Sequence, residues 1–372
     1  MRTFKVEPLD TQAMETCRFR IDNLTKPIYS LATLETIAEH FAGILGDPKP
    51  NHLHQGVLVV AADHLVDGPQ NDQHGSESYA AIKRFNEGRT ATQGAAAKLN
   101  ATVHVVNVGL EQDTSDLTNI EQQVIRKGSH FFGVEPAISR DELDRAIELG
   151  FTYADKLYRD GLQVVAIGNI GERAFLDSLV TTASITGCVY EDILVHNEYG
   201  PTVEQRAAHI HSFVDRFNIA VDDWSTISES ERRDAVLHLL HIAGGLDIAF
   251  LTAFILGAAS YRMAVVFDNI VTGAAILAAV TIEPLVKDYV FPSAAYDEPI
   301  HDEPIHKEQC RFLGVKPYLD YKLLIDEALG STMGLSVINA SMHMLNDMKT
   351  FVEAEVSVAE DGAGKGRQKN KE

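Results

Sequence analysis

The sequence predicts an α/β fold: a doubly wound, mainly parallel sheet with helices on both faces, plus a smaller helical part formed by the N-terminal and other helices. Three observations predict it. Short apolar runs recur at residues 57–61, 103–108, 162–167, 264–267 and 289–291. Each halts at polar or glycine residues: Asp63-His64, Gly109, Gly168-Asn169, Asp268-Asn269 and Ser293 respectively. Most are separated by stretches of helical period, and strands alternating with helices imply parallel pairing.

In chain order, residues 14–46 carry a helical pattern after Asp22-Asn23, with Leu34, Ile37, Ala38, Phe41 and Ile44 on one face. The breaker DPKPNHLHQG follows and leads into the first apolar run. Residues 196–235 are charged and helical in pattern, hold the sole tryptophan, Trp224, and are expected outside the sheet. Residues 243–279 are the most informative stretch. Two Ala/Gly-rich helices, the second starting near Thr272, flank an apolar strand that stops at Asp268. Small residues let helices press close to a sheet, and a carboxylate where a buried strand ends is where α/β proteins hold polar ligand groups. The expected division is an N-terminal helical segment (1–50), an α/β domain (51–357) and a polar, disordered tail (358–372).

Composition excludes several classes. The chain carries 32 Lys+Arg against 53 Asp+Glu, a formal net charge of −21. Nucleic acid would be repelled over most of such a surface. Three cysteines, Cys17, Cys188 and Cys310, suit a reducing cytosol and form no disulfide framework, so a cytoplasmic protein is expected. The longest apolar stretch is too short for the roughly 20 residues of a membrane span, so a buried helix is expected and no membrane contact. The 15 histidines lack the spacing of a metal site, and neither metal nor cofactor is expected. GAGKG in the tail lacks phosphate-loop spacing and a preceding strand.

Several stretches together resemble the nicotinate-nucleotide–dimethylbenzimidazole phosphoribosyltransferase family. LTKPIYSLATLE at 24–35 is similar to that family's Leu-Thr-Lys-Pro-x-Gly-Ser-Leu-Gly-x-Leu-Glu opening. VVAADHLV resembles its strand ending in Asp-His-Gly-Val, and GGLDIAFLTAFILGAA its Gly-Gly-x-Glu-Ile-Ala helix. VVFDNIVTGAAILAA resembles the Val-x-Leu-Asp-Gly strand and helix; DEPIH with FLGVKPYLD, and TFVEAEV, resemble its later segments. The order is collinear over most of the chain. DEPIH is duplicated at 297–306, which reads as a loop insertion.

The resemblance implies transfer of phosphoribose from nicotinate mononucleotide to a benzimidazole-like or phenolic base in cobamide biosynthesis, by a homodimer or a heterodimer with a homologous subunit. It implies Glu327 as general base. The family's Gly-Glu-Met-Gly-Ile-Gly-Asn-Thr-Thr phosphate loop matches Gly168-Asn169-Ile170-Gly171-Glu172-Arg173-Ala174-Phe175-Leu176, so Gly168, Asn169, Gly171 and Arg173 are candidate substrate-binding residues. Asn169 stands where the family has a carboxylate, Glu172 adds charge, Phe175 adds volume and Arg173 adds a cation. Arg206 aligns with a family lysine, and Asp268 and Ser293 complete the strand-end set. Glycines flanking the family's base are Asp326 and Ala328 here, and residues 67–78 keep nothing recognisable of the aromatic-base pocket. The eroded loop leaves two alternatives: a catalytically weak or inactive subunit paired with an active homologue, or a ligand-binding sensor.

Overall fold

The computed structural model describes residues 2–66, 75–132, 134–194, 202–219, 221, 223–294, 304–320, 323 and 327–358. The tail from 359, the first DEPIH copy and residues 67–74 of the expected base-pocket segment lie outside the described residues.

Among the described residues eight strands are formed: β1 (Gln55–Ala62), β2 (Leu65–Val66), β3 (Thr102–Gly109), β4 (Glu121–Gln122), β5 (Phe131–Phe132), β6 (Val164–Ile170), β7 (Ala264–Phe267) and β8 (Val290–Pro292). Six make one parallel sheet in the order β4-β3-β1-β6-β7-β8; β2 and β5 pair separately. The helices are α1 (Thr11–Asp22), α2 (Thr33–Leu45), α3 (Ser76–Asn86), α4 (Ala91–Lys98), α5 (Arg140–Arg159), α6 (Phe175–Thr186), α7 (Tyr190–Ile193), α8 (Val203–Phe217), α9 (Glu229–Leu239), α10 (Gly245–Ser260), α11 (Ile270–Ile282), α12 (Ile305–Leu313) and α13 (Leu329–Asp347). From β1 the chain first moves outward to β3 and β4, then crosses back to β6 on the other side. The order therefore reverses between β1 and β6, the position where open α/β sheets form a crevice beyond their strand ends.

Helices α5, α10 and α11 pack together on one face, while α4 and α13 pack together on the other. The close approach of α5 and α10 depends on small residues. A Cβ at Gly150 would lie 2.3 Å from the Phe250 carbonyl oxygen, and one at Gly257 2.6 Å from Ala154. Helices α9 and α10 join through a π-helical turn, Leu240–Gly244. The resulting stretch Glu229–Ser260 is apolar and long enough to cross a membrane, but its most apolar window is 94% buried inside the fold. Helices α1 and α2 pack on each other and α2 on α13; the C-terminal residues join them through an Arg20–Glu353 ion pair and a Leu24–Thr350 bridge.

Two boundaries differ from the sequence expectation. Strand β6 runs three residues past Ile167, so Gly168 and Asn169 lie inside it. It is flanked on both sides, and β1 extends the ladder with Val59, Val60 and Ala61 opposite Gly168, Asn169 and Ile170. Helix α11 starts at Ile270, two residues earlier than expected, because Asn269 and Thr272 form a capping box.

Candidate active site at the strand ends

Asp63, just past β1, gathers three loops. Its Oδ1 accepts the Glu172 N–H (3.0 Å) and the Ser78 hydroxyl, and its Oδ2 accepts the Glu111 N–H (2.9 Å). The turn after β6 is thereby tied to the end of β1. Gly171 completes the closure: a Cβ there would lie 1.9 Å from the Ala62 carbonyl oxygen.

Glu327 is buried, and its segment lies across β6. Its N–H donates to the Asn169 carbonyl (3.2 Å), while its own carbonyl accepts the Thr92 hydroxyl (2.7 Å). Its carboxylate pairs with the Arg84 guanidinium at 2.8 Å. Glu327 and Ala328 both occupy left-handed backbone (φ 46° and 60°), which costs non-glycine residues about 1–2 kcal/mol each. Such a turn is retained only where its surroundings hold it. Gly168 is part of that hold, since its missing side chain leaves the space that Ala328 occupies.

Asp268 and Ser293 grip the same turn. Asp268 Oδ2 accepts the Ser331 N–H at 2.9 Å, and the Ser293 hydroxyl donates to the Gly330 carbonyl. Ala328, at the start of α13, offers no side-chain cap. A carboxylate from β7 supplies one instead, with the favourable sign at a helix N-terminus. Asn169 is buried, and its side-chain oxygen accepts the Asn269 amide at 2.9 Å. Thus Glu327, Gly168, Asn169, Asp268 and Ser293 converge at one sheet end.

The arginines are placed differently. Arg173 is exposed, with φ 65°, in the turn before α6. Helix α6 begins at Phe175 without a side-chain cap, and Phe175 packs half-buried against the core. Arg206 is half-buried on α8, a helix that packs against α7. Among the described residues no group of three or more His, Cys, Asp or Glu is arranged to hold a metal ion.

Sequence reasoning missed Arg84 and Thr92, which fix Glu327. It also missed the partners of His64: Asp177 in the first turn of α6 and Asp247 in the first turn of α10. A signal existed. Each aspartate interrupts an apolar stretch, FLDSLV and GGLDIAF, and a carboxylate that a helix buries needs a partner.

Comparison with known proteins places the chain in a family. A phosphoribosyltransferase family profile matches residues 6–356. The chain belongs to the nicotinate-nucleotide–dimethylbenzimidazole phosphoribosyltransferase family. The enzyme of that name from Chloroflexus aggregans is 31% identical over 358 residues, covering 95% of this chain and 96% of that protein. Its namesake from Geobacter sp. strain M21 is 30% identical, covering 95% and 97%. The crystal structure of the Thermus thermophilus enzyme superposes with a TM-score of 0.80 at 24% identity, over 94% of this chain and all of that one, which shows the shared fold.

Proposed function

We propose that this chain transfers the phosphoribosyl group of nicotinate mononucleotide to an aromatic lower-ligand base, benzimidazole-like or phenolic, for cobamide assembly. Supporting this are near-full-length membership of the family and the placement of Glu327. In the proposed reaction the base attacks C1′ of the ribose from the face opposite nicotinate. The C1′–N bond breaks and its electron pair stays with the pyridine nitrogen, so nicotinate leaves without needing a general acid. The incoming base must lose its N–H or O–H proton. Glu327, held by one backbone bond to β6 and by the Thr92 hydroxyl and oriented by Arg84, takes that proton, a role worth typically ~10²–10⁴-fold. Asn169, standing where the family has a second carboxylate, is compatible with a one-base mechanism.

The phosphate is the nucleotide's main handle. We assign it to the segment 168–176, from the end of β6 through the following turn to the uncapped start of α6, where backbone N–H groups and the helix dipole favour an anion, with Arg173 as the nearest added cation. Arg206 remains a proposed phosphate ligand through α8. Asp268 and Ser293 act here by holding the Glu327 turn. The protein is proposed to act in the cytoplasm as a homodimer or with a homologous subunit.

The observation carrying the proposal is the strained 327–328 turn, bonded to β6 and followed by a helix start that Asp268 and Ser293, just past β7 and β8, hold at the same sheet end. Nicotinate release, measured with the purified chain, nicotinate mononucleotide and a panel of benzimidazoles, purines and phenols, tests it. Glu327→Gln should lower kcat by ~10²–10⁴-fold; no release with any acceptor refutes the proposal. A second reading, a subunit partnering an active homologue, is favoured by the acidic side chain Glu172 within the phosphate turn. A stable chain indifferent to co-expressed intact homologues would count against it.

A further inference from the structure

His64 lies two residues beyond the end of β1, beside the reversal point of the sheet, and is 1% exposed. Its Nδ1 is 3.2 Å from an Asp177 carboxylate oxygen and its Nε2 3.0 Å from one of Asp247, both fully buried. These are ion-pair contacts rather than well-aligned hydrogen bonds. The ring's space is kept open by the backbone. Gly245 has φ 62°, and a Cβ there would lie 2.4 Å from His64 Cε1. The π-helical turn immediately before it produces this geometry, a local irregularity of the kind found at functional sites. The His64 N–H donates to the Glu172 carbonyl at 3.0 Å. One residue thus touches β1, the turn after β6, the start of α6 and the start of α10.

Burial opposes charge on the ring, but Asp247 and then Asp177 raise its pKa well above the ordinary histidine value. Burial in turn raises the carboxyl of Asp177. The other charged groups near this end of β1 are Asp63, whose carboxylate is held by N–H and hydroxyl donors, and Glu172, whose carboxylate accepts the Glu77 N–H at 2.9 Å.

Asp177 poses an electrostatic problem. It places a carboxylate in the first turn of α6, where the proposed function seats a phosphate. We propose that His64 is a positioning residue for the nucleotide: clamped between Asp177 and Asp247, it fixes the turn between β6 and α6 and masks the Asp177 carboxylate from the substrate's phosphate. This rests on the phosphoribosyl-transfer reading above.

Steady-state kinetics on the full chain test it. With its charge already masked, Asp177→Asn should leave KM for nicotinate mononucleotide within about twofold of the wild type, short of the several-fold effect of an unmasked charge at a helix start. His64→Gln should raise that KM at least about tenfold, with kcat and the base KM little changed, because a buried carboxylate is left uncompensated. The double variant should recover much of the loss. With a purely structural histidine, Asp177→Asn would not restore nucleotide binding to His64→Gln. A several-fold lower KM in Asp177→Asn alone, a double variant no better than His64→Gln, or a His64→Gln defect confined to kcat, overturns the proposal. Should His64→Gln not fold, Asp177→Asn and the double variant decide. Ring ¹⁵N signals of His64 should stay those of an imidazolium at pH 8, and a neutral ring overturns the masking role. A wild-type chain that releases no nicotinate defeats the transfer reading alone. In that case calorimetry with inorganic phosphate decides this one: weaker binding by His64→Gln that the double variant restores supports masking, and tighter binding by Asp177→Asn alone, or no restoration, refutes it.

Discussion

Replacing Gly168 with alanine tests whether Glu327 is positioned by packing. A Cβ at residue 168 would lie 2.4 Å from both the Cβ and the backbone nitrogen of Ala328, where ordinary contact begins at 3.4 Å. Strand β6 is paired with β1 through Gly168 and beyond, and with β7 over Val164–Ala166, and cannot yield readily. The 327–328 turn must therefore move by about 1 Å, and overpacking of this kind costs about 1–3 kcal/mol. A 1 Å misplacement of a positioned group can reduce turnover by ~10²-fold. Nicotinate-release kinetics should show kcat down by about that factor, and urea denaturation should report the stability loss. Gly94→Ala is the matched control: nothing lies within 4 Å of its Cβ position, and in mid-helix it should gain about 0.5–1 kcal/mol. Wild-type kcat and stability in Gly168→Ala would refute the argument that β6 places the base.

Asn269→Ala removes the cap of α11, made to the Thr272 N–H at 2.8 Å, and leaves the buried Asn169 oxygen without its amide partner; urea titration should show a loss of about 2–4 kcal/mol. Ala32→Gly relieves a φ of 41° at the start of α2. Relief of about 1–2 kcal/mol less an unfolded-state entropy of about 0.4–1 kcal/mol leaves a net gain near ~0.5–1 kcal/mol, read by the same titration. Glu121 is pulled from 4.5 to about 2 by the His104 hydrogen bond, then by Lys156 and Tyr153, against burial. Its contribution is therefore present above pH 4.5 and lost as pH falls towards 2; Glu121→Gln should flatten the stability profile between pH 5 and about 2. The His64 clamp has the opposite sign. Its contribution is complete below 6.5 and disappears as pH rises through the raised folded value, so His64→Gln should remove an alkaline loss of stability seen in the wild type.

The central strands were legible because parallel strands buried on both faces read as nearly continuous apolar runs. The two-residue strands β2, β4 and β5 carry no such pattern. The end of β6 was misjudged because Gly168-Asn169 reads as a stop. In the fold Gly168 makes room for Ala328 and Asn169 finds Asn269, so both sit within a ladder that their residue types disfavour. Membership of the family was readable from six collinear motifs. The immediate support of Glu327 was not, because Arg84 and Thr92 are 243 and 235 residues away in sequence and only the closed sheet brings them near.

The acidic rim also explains how a chain of net charge −21 can present a site for an anionic nucleotide. Asp63 is held by two backbone N–H groups and a hydroxyl, Asp268 accepts the N–H of Ser331, and Asp177 and Asp247 flank one histidine. Glu172 accepts the N–H of Glu77. Each carboxylate is matched by a donor from the protein itself, so its field is largely neutralised where it arises. The pairing carries mechanical weight too, because these donors belong to the turns after β1, β3 and β6 and to the start of α13. The same bonds that quiet the negative charge therefore fix the loops around the sheet end. Removing one such acid should loosen a loop, while removing its donor should both loosen the loop and expose a charge that repels phosphate, and the second kind of substitution is accordingly the more damaging to nucleotide binding.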